Sequence, residues 1–397
     1  MADATLLASP AAPPGLKRLP PLSLYLHIPW CVRKCPYCDF NSHESKGEIP
    51  QDEYCAALLR DLELSLPLVW GRRIYSIFIG GGTPSLFAAN AIDGLLSGIR
   101  ARLPLAADCE VTLEANPGTF EAEKFRDFRA AGVTRLSIGI QSFNPRHLKA
   151  LGRIHDDNEA RRAIESAARA FDNVNLDMMY ALPGQALEEA RRDAEEAVSW
   201  NTAHLSCYHL TIEPDTVFQR RPPVIPDADA AAAIEDCVHA TLVGAGFDQY
   251  ETSAFARGNR RCRHNLNYWE FGDYLGLGAG AHSKLSFPDR ILRQTRTKQP
   301  REYLKRVAAG EPVLEEKRLQ RADALFEFMM NALRLTEGFA VPLFQERTGL
   351  PISAAAKPLD AAEARGLLVR DHQSIRPSEL GRRFLNDLLE MFLPEKR

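Results

Sequence analysis

The chain has 397 residues, of which 45% are hydrophobic and 25% charged, and its formal net charge at pH 7 is −3. This length exceeds what one compact core usually holds, so a main domain with a smaller appended one is expected. The charge argues against a general nucleic-acid binder, and eight cysteines in this length do not make a disulfide scaffold.

Residues 1–21 are rich in Ala and Pro and lack the basic and apolar regions of a secretory signal peptide. They predict a flexible N-terminal tail. Apolar runs elsewhere in the chain stay below membrane-spanning length. Together with the cysteine usage, these features favour a protein of a reducing, bacterial-type cytoplasm.

Residues 22–41 predict a buried strand, Leu22–Ile28, that Pro29 ends because proline has no N–H to donate. Three cysteines follow with the spacing C-x3-C-x2-C: Cys31, Cys35 and Cys38. Three close thiolates suit a soft metal centre. A structural zinc ion would need a fourth ligand, for which His43 and Cys55 are the nearest candidates. A [4Fe–4S] cluster on three thiolates would instead leave one iron open to an exchangeable ligand.

The apolar periodicity then predicts a helix at 51–66 and a short buried strand at 74–79. A glycine triplet, residues 80–82, comes directly after this strand, and Thr83 begins the turn into a helix at 85–102. Glycines let the backbone approach a ligand without a Cβ in the way. A glycine triplet is also common in a plain tight turn.

The same strand–helix unit recurs four more times along the chain. The strands are predicted at 109–118, 133–143, 174–184 and 204–213, and the helices at 121–131, 145–170, 186–200 and 227–245. Six apolar strands that alternate with helices predict a parallel sheet. In barrels of such units the functional groups lie at the C-terminal ends of the strands.

Polar side chains stand where these predicted strands end: Glu114, Gln141, Asp177 and Tyr208. A carboxylate in a barrel mouth is costly unless it is paired or binds something. Glu114 is therefore expected to accept hydrogen bonds from ribose hydroxyls, and the planar guanidinium of Arg153 could bind a carboxylate. Each residue taken singly also suits a structural salt bridge or a strand-end cap.

Residues 247–256 predict a final strand, and 255–299 a connecting segment with a close-packed Gly/Ala loop at 276–281. This segment contains the sequence HNLNYW, residues 264–269. One interpretation is a polar–aromatic loop that closes the lower rim of the barrel, with His264 satisfied locally. The other is a site for a planar tetrapyrrole, where imidazole can be an axial ligand and the aromatic rings offer stacking surfaces.

The last part of the chain, 300–397, predicts a separate module. Its helices are expected at 301–309, 322–335, 341–348 and 353–365, with a hairpin at 366–378 and a closing helix at 380–392. Helices followed by a small hairpin resemble a winged helix. Its basic residues are too few for the phosphate contacts that drive DNA binding, so a packing or partner-docking role is expected.

Three motifs resemble those of a known family: YLHIPWCVRKCPYCDF (25–40), GGGTPS (80–85) and LGRIHD (151–156). They resemble the radical S-adenosylmethionine (SAM) superfamily, in its oxygen-independent coproporphyrinogen III oxidase-like branch. The resemblance implies an α/β fold, with a (βα)6 partial TIM barrel at 22–254 and a C-terminal winged-helix-like α+β module at 300–397. It also implies three cofactors, which are a [4Fe–4S] cluster, SAM and heme.

In this superfamily the open iron of the cluster chelates SAM, and an electron from the cluster cleaves the sulfonium. The resemblance assigns the cluster to Cys31, Cys35 and Cys38. It assigns SAM contacts to a larger set: Tyr25, Tyr37, Gly81, Gly82, Thr83, Glu114, Gln141, Arg153, Asp177, Tyr208 and His282. The implied heme region comprises His264, Asn265, Tyr268 and Trp269, with no axial ligand assigned.

The branch contains two functions. Its dehydrogenase decarboxylates coproporphyrinogen III and has a further Cys two residues after the third ligand, where this chain has Phe40. Its heme chaperones lack that Cys and carry HNxxYW, as this chain does. The resemblance therefore implies a heme chaperone that binds heme and passes it to a hemoprotein such as a membrane-associated cytochrome. The dehydrogenase, or another radical reaction on a tetrapyrrole, is the alternative. No nucleic-acid partner is expected, and a homodimer through the cysteine loop is one option.

Overall fold

A computed structural model describes residues 16–118 and 121–394 of the protein. Of the tail expected at 1–21, residues 1–15 lie outside the described part of the chain. Residues 16–21 differ from a free tail because they lie against the main domain. The amide of Leu16 donates to the carbonyl oxygen of Pro288 over 2.9 Å, and Arg72 donates to that of Pro20 over 2.6 Å.

Six strand–helix repeats form the first half of the fold, as the sequence predicts, and their strands lie side by side in chain order. The strands are β1 (Leu22–Ile28), β2 (Ile74–Gly81), β3 (Leu105–Ala115), β4 (Arg135–Gln141), β5 (Val174–Tyr180) and β6 (His204–His209). The helices are α1 (Gln51–Val69), α2 (Ala89–Arg100), α3 (Glu121–Ala130), α4 (Asp157–Ala170), α5 (Leu187–Ser199) and α6 (Ala228–Gly244). Shorter helical turns lie in the connections at Pro84–Leu86, Pro145–Ala150 and Val217–Arg220.

Alternation along the strands separates an apolar layer from a polar interior. Leu24 and Leu26 of β1 share the main hydrophobic core with Leu58 and Leu62 of α1. Ser23, one position before Leu24, points the other way and hydrogen-bonds across to Ser76 of β2. The parallel strands therefore present polar side chains to the inside of the partial barrel.

The sheet continues past both edges of the six-strand unit, in the order β12-β11-β10-β9-β1-β2-β3-β4-β5-β6-β8-β7. The added strands are β7 (Asp248–Glu251), β8 (Ala254–Ala256), β9 (Asp273–Leu277), β10 (His282–Phe287), β11 (Arg290–Arg296) and β12 (Val313–Arg318). Strand β9 is parallel to β1. The predicted connecting segment 255–299 therefore contains three further strands of the sheet, β9 to β11, and the loop expected at 276–281 begins only after Leu277. The sequence analysis predicted one strand where β7 and β8 lie and missed β9 to β12, in which polar and charged residues interrupt the apolar ones.

HNLNYW is part of a helix, α7 (Arg263–Trp269), rather than of the predicted loop. After it, α8 (Pro300–Ala308) packs on the barrel beside α1. Within the described residues no helix is long and apolar enough to span a bilayer.

The C-terminal module has the helix–strand–helix–helix–strand–strand order of a winged helix. Its elements are α9 (Arg321–Ala332), β13 (Phe339–Ala340), α10 (Val341–Thr348), α11 (Ala356–Ala364), β14 (Leu368–Arg370) and β15 (Ser374–Pro377). The predicted closing helix is split at Phe384 into α12 (Glu379–Arg383) and α13 (Leu385–Glu390). Phe271, which follows α7, packs into the core of this module against Phe328. The module is thus joined to the lower end of the barrel.

Candidate functional site

A cavity of about 460 Å³ opens where the parallel strands end at their carboxyl side. It lies between the cysteine loop, the glycine turn after β2 and the ends of β3 to β6. Most of the predicted cluster and SAM residues line it: Cys31, Cys35, Tyr37, Cys38, Gly81, Gly82, Thr83, Glu114, Gln141, Arg153, Asp177 and Tyr208. The structure therefore brings together residues that are up to 177 positions apart in the chain, from Cys31 to Tyr208.

Two residues predicted to contact SAM lie outside this lining. Tyr25 is one layer deeper in the barrel, where its hydroxyl is 2.9 Å from Nδ1 of His27 and its ring lies against Phe78. His282 is exposed at the first position of β10. In this arrangement neither side chain faces the cavity.

The three loop cysteines are free, half-buried thiols on one wall of the cavity. Burial raises the pKa of the Cys31 thiol, and the hydroxyl of Thr83 donates to its sulfur over 3.5 Å. Arg153 donates to the sulfur of Cys35 over 3.6 Å. Donors aimed at sulfur stabilise thiolates, so this wall fits a cluster held by three cysteines.

The two candidates for a fourth zinc ligand are engaged elsewhere. His43 Nε2 lies 3.2 Å from the carbonyl oxygen of Lys298, and the thiol of Cys55 donates to the carbonyl oxygen of Ala91 over 3.9 Å. Over the described ranges, no three side chains of His, Cys, Asp or Glu are placed to hold a single metal ion.

The glycine turn packs tightly against the exit of β1. The amide of Gly82 donates to the carbonyl of Ile28, and that of Thr83 to Trp30. A Cβ on Gly82 would lie 2.5 Å from the carbonyl oxygen of Trp30, and one on Gly81 (φ 113°) would lie 2.5 Å from the ring of His27. Only glycine fits at these two positions, so the turn presents bare backbone to the cavity.

Glu114 and Asp177 face the cavity from β3 and β5. The amide of Gly81 donates to Oε2 of Glu114 over 3.0 Å. Burial, with a further contribution from Asp177, raises the pKa of Glu114 to about 8. Burial also raises the pKa of Asp177, which accepts a 2.9 Å hydrogen bond from Ser137. Ligand hydroxyls that donate to these carboxylates would relieve the cost of their burial.

Asn116 belongs to the site although the sequence analysis did not single it out. Its amide donates to the hydroxyl of Thr83 over 2.9 Å, and its Oδ1 accepts from Arg153 over 2.5 Å. It thereby joins the glycine turn to the guanidinium beside Cys35. Its position two residues after Glu114 in LEANPG was the signal available in the sequence.

Two buried polar atoms in the cavity wall, Oε1 of Gln141 and Nε of Arg153, have no hydrogen-bond partner. Gln141 also adopts a left-handed backbone conformation, with φ 65°. Buried polar groups are nearly always hydrogen-bonded, so unpartnered ones in a cavity indicate a ligand. One acceptor and one donor fit the amino acid portion of SAM.

The heme-region residues lie at the opposite end of the barrel. His264 is 1% exposed. Its Nδ1 is 3.0 Å from the hydroxyl of Ser76 at the start of β2, while Nε2 has no partner. Its ring packs against Phe78 and Tyr268. Burial, followed by Arg135, lowers the pKa of His264 to about 3.

The other motif residues lie between the barrel floor and the C-terminal module. The ring of Tyr268 packs edge-on against Tyr274, and the guanidinium of Arg334 lies 4.4 Å from the ring of Trp269. Asn265 is half-buried on the same helix. The motif thus forms a packed helix at the lower rim of the barrel rather than the expected loop.

Comparisons with known proteins bear on both ends of the barrel. A family model described as the Radical SAM superfamily matches residues 25–197, and one described as the HemN C-terminal domain matches residues 319–384. Heme chaperone HemW of Escherichia coli is 52% identical over 95% of this chain and 100% of its own. Heme chaperone HemW of Haemophilus influenzae is 48% identical over 96% of this chain and 100% of its own.

Among solved structures, coproporphyrinogen III oxidase (HemN) from Escherichia coli, described as a radical SAM enzyme, superposes with a TM-score of 0.80. The likeness covers 94% of this chain and 90% of that one, at 23% sequence identity. At this identity it shows a shared fold. It extends through both the barrel and the C-terminal module.

Proposed function

We propose that this protein is a heme chaperone, and we proceed from the fact that the chain belongs to the radical SAM superfamily and, within it, to the HemW family. The observation that carries the proposal is the similarity to two proteins named heme chaperone over nearly the whole chain. HNLNYW and Phe40 support it from within the sequence. The protein would bind heme and pass it to a hemoprotein acceptor.

Membership of the superfamily implies a [4Fe–4S] cluster and SAM. Cys31, Cys35 and Cys38 would hold the cluster, with Thr83 and Arg153 as donors to two of the sulfurs. When bound, the cluster supplies single electrons.

The wall of the cavity supports a binding role for SAM. The bare backbone of the glycine turn admits a ligand close to the cysteines. The unpartnered atoms of Gln141 and Arg153 offer an acceptor and a donor. Glu114 and Asp177 offer carboxylates to hydroxyl groups.

The side chains of the heme region suit heme binding, but they are buried and closed to a ligand in this structure. Nε2 of His264 is an unpartnered imidazole nitrogen beside three aromatic rings, which suits a heme contact. Because the side chain is 1% exposed, α7 must move before a porphyrin can reach it. Heme loading would therefore be coupled to a displacement of this helix.

The finer expectations from the sequence stay part of this proposal. The acceptor would be a hemoprotein such as a membrane-associated cytochrome. The chain would function in a reducing cytoplasm, where thiolates persist. A homodimer could form through the cysteine loop, where Phe40 is 58% exposed.

The experiment is an anaerobic titration of the reconstituted protein with hemin, followed by absorbance, with SAM present. We expect saturable binding of one heme per chain, and a weaker complex for His264→Ala. The matched control is His147→Ala, since His147 is equally buried and also has one unpartnered ring nitrogen.

A parallel sample receives coproporphyrinogen III and is assayed for protoporphyrinogen IX. Under the chaperone proposal no decarboxylation occurs. Turnover of coproporphyrinogen III without saturable heme binding would make the protein a dehydrogenase, and the proposal would be rejected.

A further inference from the structure

A chain of buried hydrogen bonds runs through the barrel from the cavity to the start of α7. The amide N–H of Cys262 donates to the hydroxyl oxygen of Tyr250 over 3.1 Å. Tyr250 and Nε2 of His204 are 2.8 Å apart, Nδ1 of His204 and Oδ1 of Asn175 are 2.6 Å apart, and Nδ2 of Asn175 donates to Oδ1 of Asp177 over 2.9 Å. Four consecutive hydrogen bonds thus join the first residue before α7 to a carboxylate that lines the cavity.

All four bonds point in the same direction. Asn175 donates through Nδ2 to Asp177 and also to Ser137, so its Oδ1 is the acceptor. Nδ1 of His204 must therefore donate to Asn175. Burial lowers the pKa of His204 well below its usual value, so its other nitrogen is unprotonated and accepts from Tyr250. Hydrogen bonds aligned head to tail polarise one another, and this chain ends on the carboxylate of Asp177.

The members of this chain are placed where packing alone would favour apolar side chains. Asn175, His204, Tyr250 and Cys262 are each 1% exposed or less. Buried polar groups cost free energy unless every one is satisfied. Here each of these side chains hydrogen-bonds to the next one, so the four hydrogen bonds form one continuous network rather than a set of separate contacts.

The start of α7 is held by the last hydrogen bond of this chain, at Tyr250, and by a second contact, at Glu110. Oε1 of Glu110 accepts from the amides of Arg263 and His264 over 3.0 and 3.3 Å. Tyr250 and Glu110 thus hold the three amides at the start of the helix. These contacts keep His264 in its buried position.

We infer that Asn175, His204 and Tyr250 are positioning residues that couple occupancy of the cavity to the position of α7, so that bound SAM weakens the binding of heme. This inference rests on the proposed function and deepens it. A ligand hydroxyl that donates to Asp177 favours its charged form. The charged carboxylate strengthens every bond behind it and holds α7 more firmly, which opposes the exposure of His264. The SAM-bound protein is then the state that releases heme.

The test measures heme affinity with and without SAM, anaerobically, on the cluster-reconstituted full chain. We expect SAM to raise the Kd for hemin at least fivefold in the wild type, which is roughly the lower end of ordinary coupling between two sites. Tyr250→Phe removes the hydroxyl that links Cys262 to His204 and should reduce the ratio to less than about twofold. The matched control is Tyr303→Phe, because Tyr303 is a fully buried tyrosine whose hydroxyl meets Asp61 outside this network.

Hydrogen exchange provides a second measurement on the same samples. Addition of SAM should slow exchange of the amides of residues 262–264 in the wild type and in Tyr303→Phe, and leave them unchanged in Tyr250→Phe. Equal heme affinities with and without SAM, tighter heme binding with SAM, or coupling retained in Tyr250→Phe would each overturn the inference alone. Absence of saturable heme binding in either state would overturn the proposed function as well.

Discussion

The two ends of the barrel handle buried polar groups in opposite ways. At the upper end, a cavity of about 460 Å³ is lined by bare glycine backbone and by polar atoms without partners. At the lower end, α7 fills the interior, and Glu110, Tyr250 and Ser76 bond to its amides and to His264. The upper end is ready to accept a ligand as it stands. The lower end can accept one only after a helix has moved.

This difference assigns the two ends different energetic roles. Ligand contacts at the upper end replace hydrogen bonds that the protein leaves unmade, so binding there needs little reorganisation. Binding at the lower end must first break contacts that hold α7, and this cost reduces the apparent affinity. Substitutions at the upper end should therefore change ligand binding more than they change the fold.

The largest effect is expected for the loop cysteines. Cys31→Ser should lower the iron content of the reconstituted protein by about tenfold or more, because the thiolate is the ligand that serine lacks. The free energy of unfolding of the cluster-free protein should change by less than about 0.5 kcal/mol, as for other half-exposed sites. Iron assay and urea unfolding measure the two quantities.

Cys55→Ser is the matched control for this substitution. Cys55 is a buried thiol of α1 outside the cavity, so its replacement should leave the iron content unchanged. If both variants lost iron equally, the loss would report on folding, and the assignment of the cluster to the loop would fail.

The sequence predicted the upper end far better than the lower end. Strand β1 was predicted with its observed bounds, and the polar residues at the ends of β3, β4 and β5 do meet in one cavity. That success has a physical cause, since parallel strands bring their carboxyl ends to one edge whatever their loops do. The cysteine spacing and the glycine triplet are local signals that need no tertiary information.

The lower end depends on contacts that no local pattern encodes. The helical state of HNLNYW is fixed by Glu110, which lies 154 positions before His264 and accepts from its amide. Strands β11 and β12 carry several charged residues, and Arg296 of β11 is buried because Asp61 of α1 pairs with it. His282 was assigned to SAM by the resemblance alone, and the structure places it exposed at the first position of β10.

A smaller effect is expected at the glycine turn. Gly82→Ala would bring a Cβ to 2.5 Å from the carbonyl oxygen of Trp30, and because both atoms belong to closely packed backbone the turn must shift. We expect SAM affinity to fall about tenfold and stability to fall by about 1–3 kcal/mol, as for other overpacked sites. Calorimetric titration with SAM and urea unfolding measure these changes.

Gly94→Ala is the matched control for the glycine turn. Gly94 lies in α2, and no atom lies within 4 Å of the position that an alanine Cβ would take there. This substitution should be neutral or stabilising by about 0.5–1 kcal/mol, with SAM affinity unchanged. Unchanged SAM affinity in Gly82→Ala as well would mean that the turn is not part of the binding surface.

The smallest effect concerns pH, and it separates the two ends once more. Burial raises the pKa of Glu114 to about 8 from its ordinary value of 4.5, so between these values the folded chain holds a proton that the unfolded chain has lost. The stability that Glu114 contributes is therefore fully present below pH 4.5 and is lost as the pH rises toward 8. Glu114→Gln removes this contribution, so its unfolding free energy should rise relative to that of the wild type between about pH 5.5 and pH 8, with the raised pKa of Asp177 still present in both proteins. His264 at the lower end contributes with the opposite sign, because burial lowers its pKa from 6.5 to about 3. Between these values only the unfolded chain is protonated, so this contribution to stability rises as the pH rises through 6.5.

Urea unfolding of the cluster-free protein at both pH values measures this difference, with Glu390→Gln as the control because Glu390 is an exposed carboxylate far along the chain in α13. The control should keep the wild-type slope, since Glu390 is exposed to solvent and lies outside the cavity. An identical slope in wild type and Glu114→Gln would mean that the Glu114 carboxylate is solvated. The difference between the two ends of the barrel would then rest on their packing alone, and not on the burial of a carboxylate at the upper end.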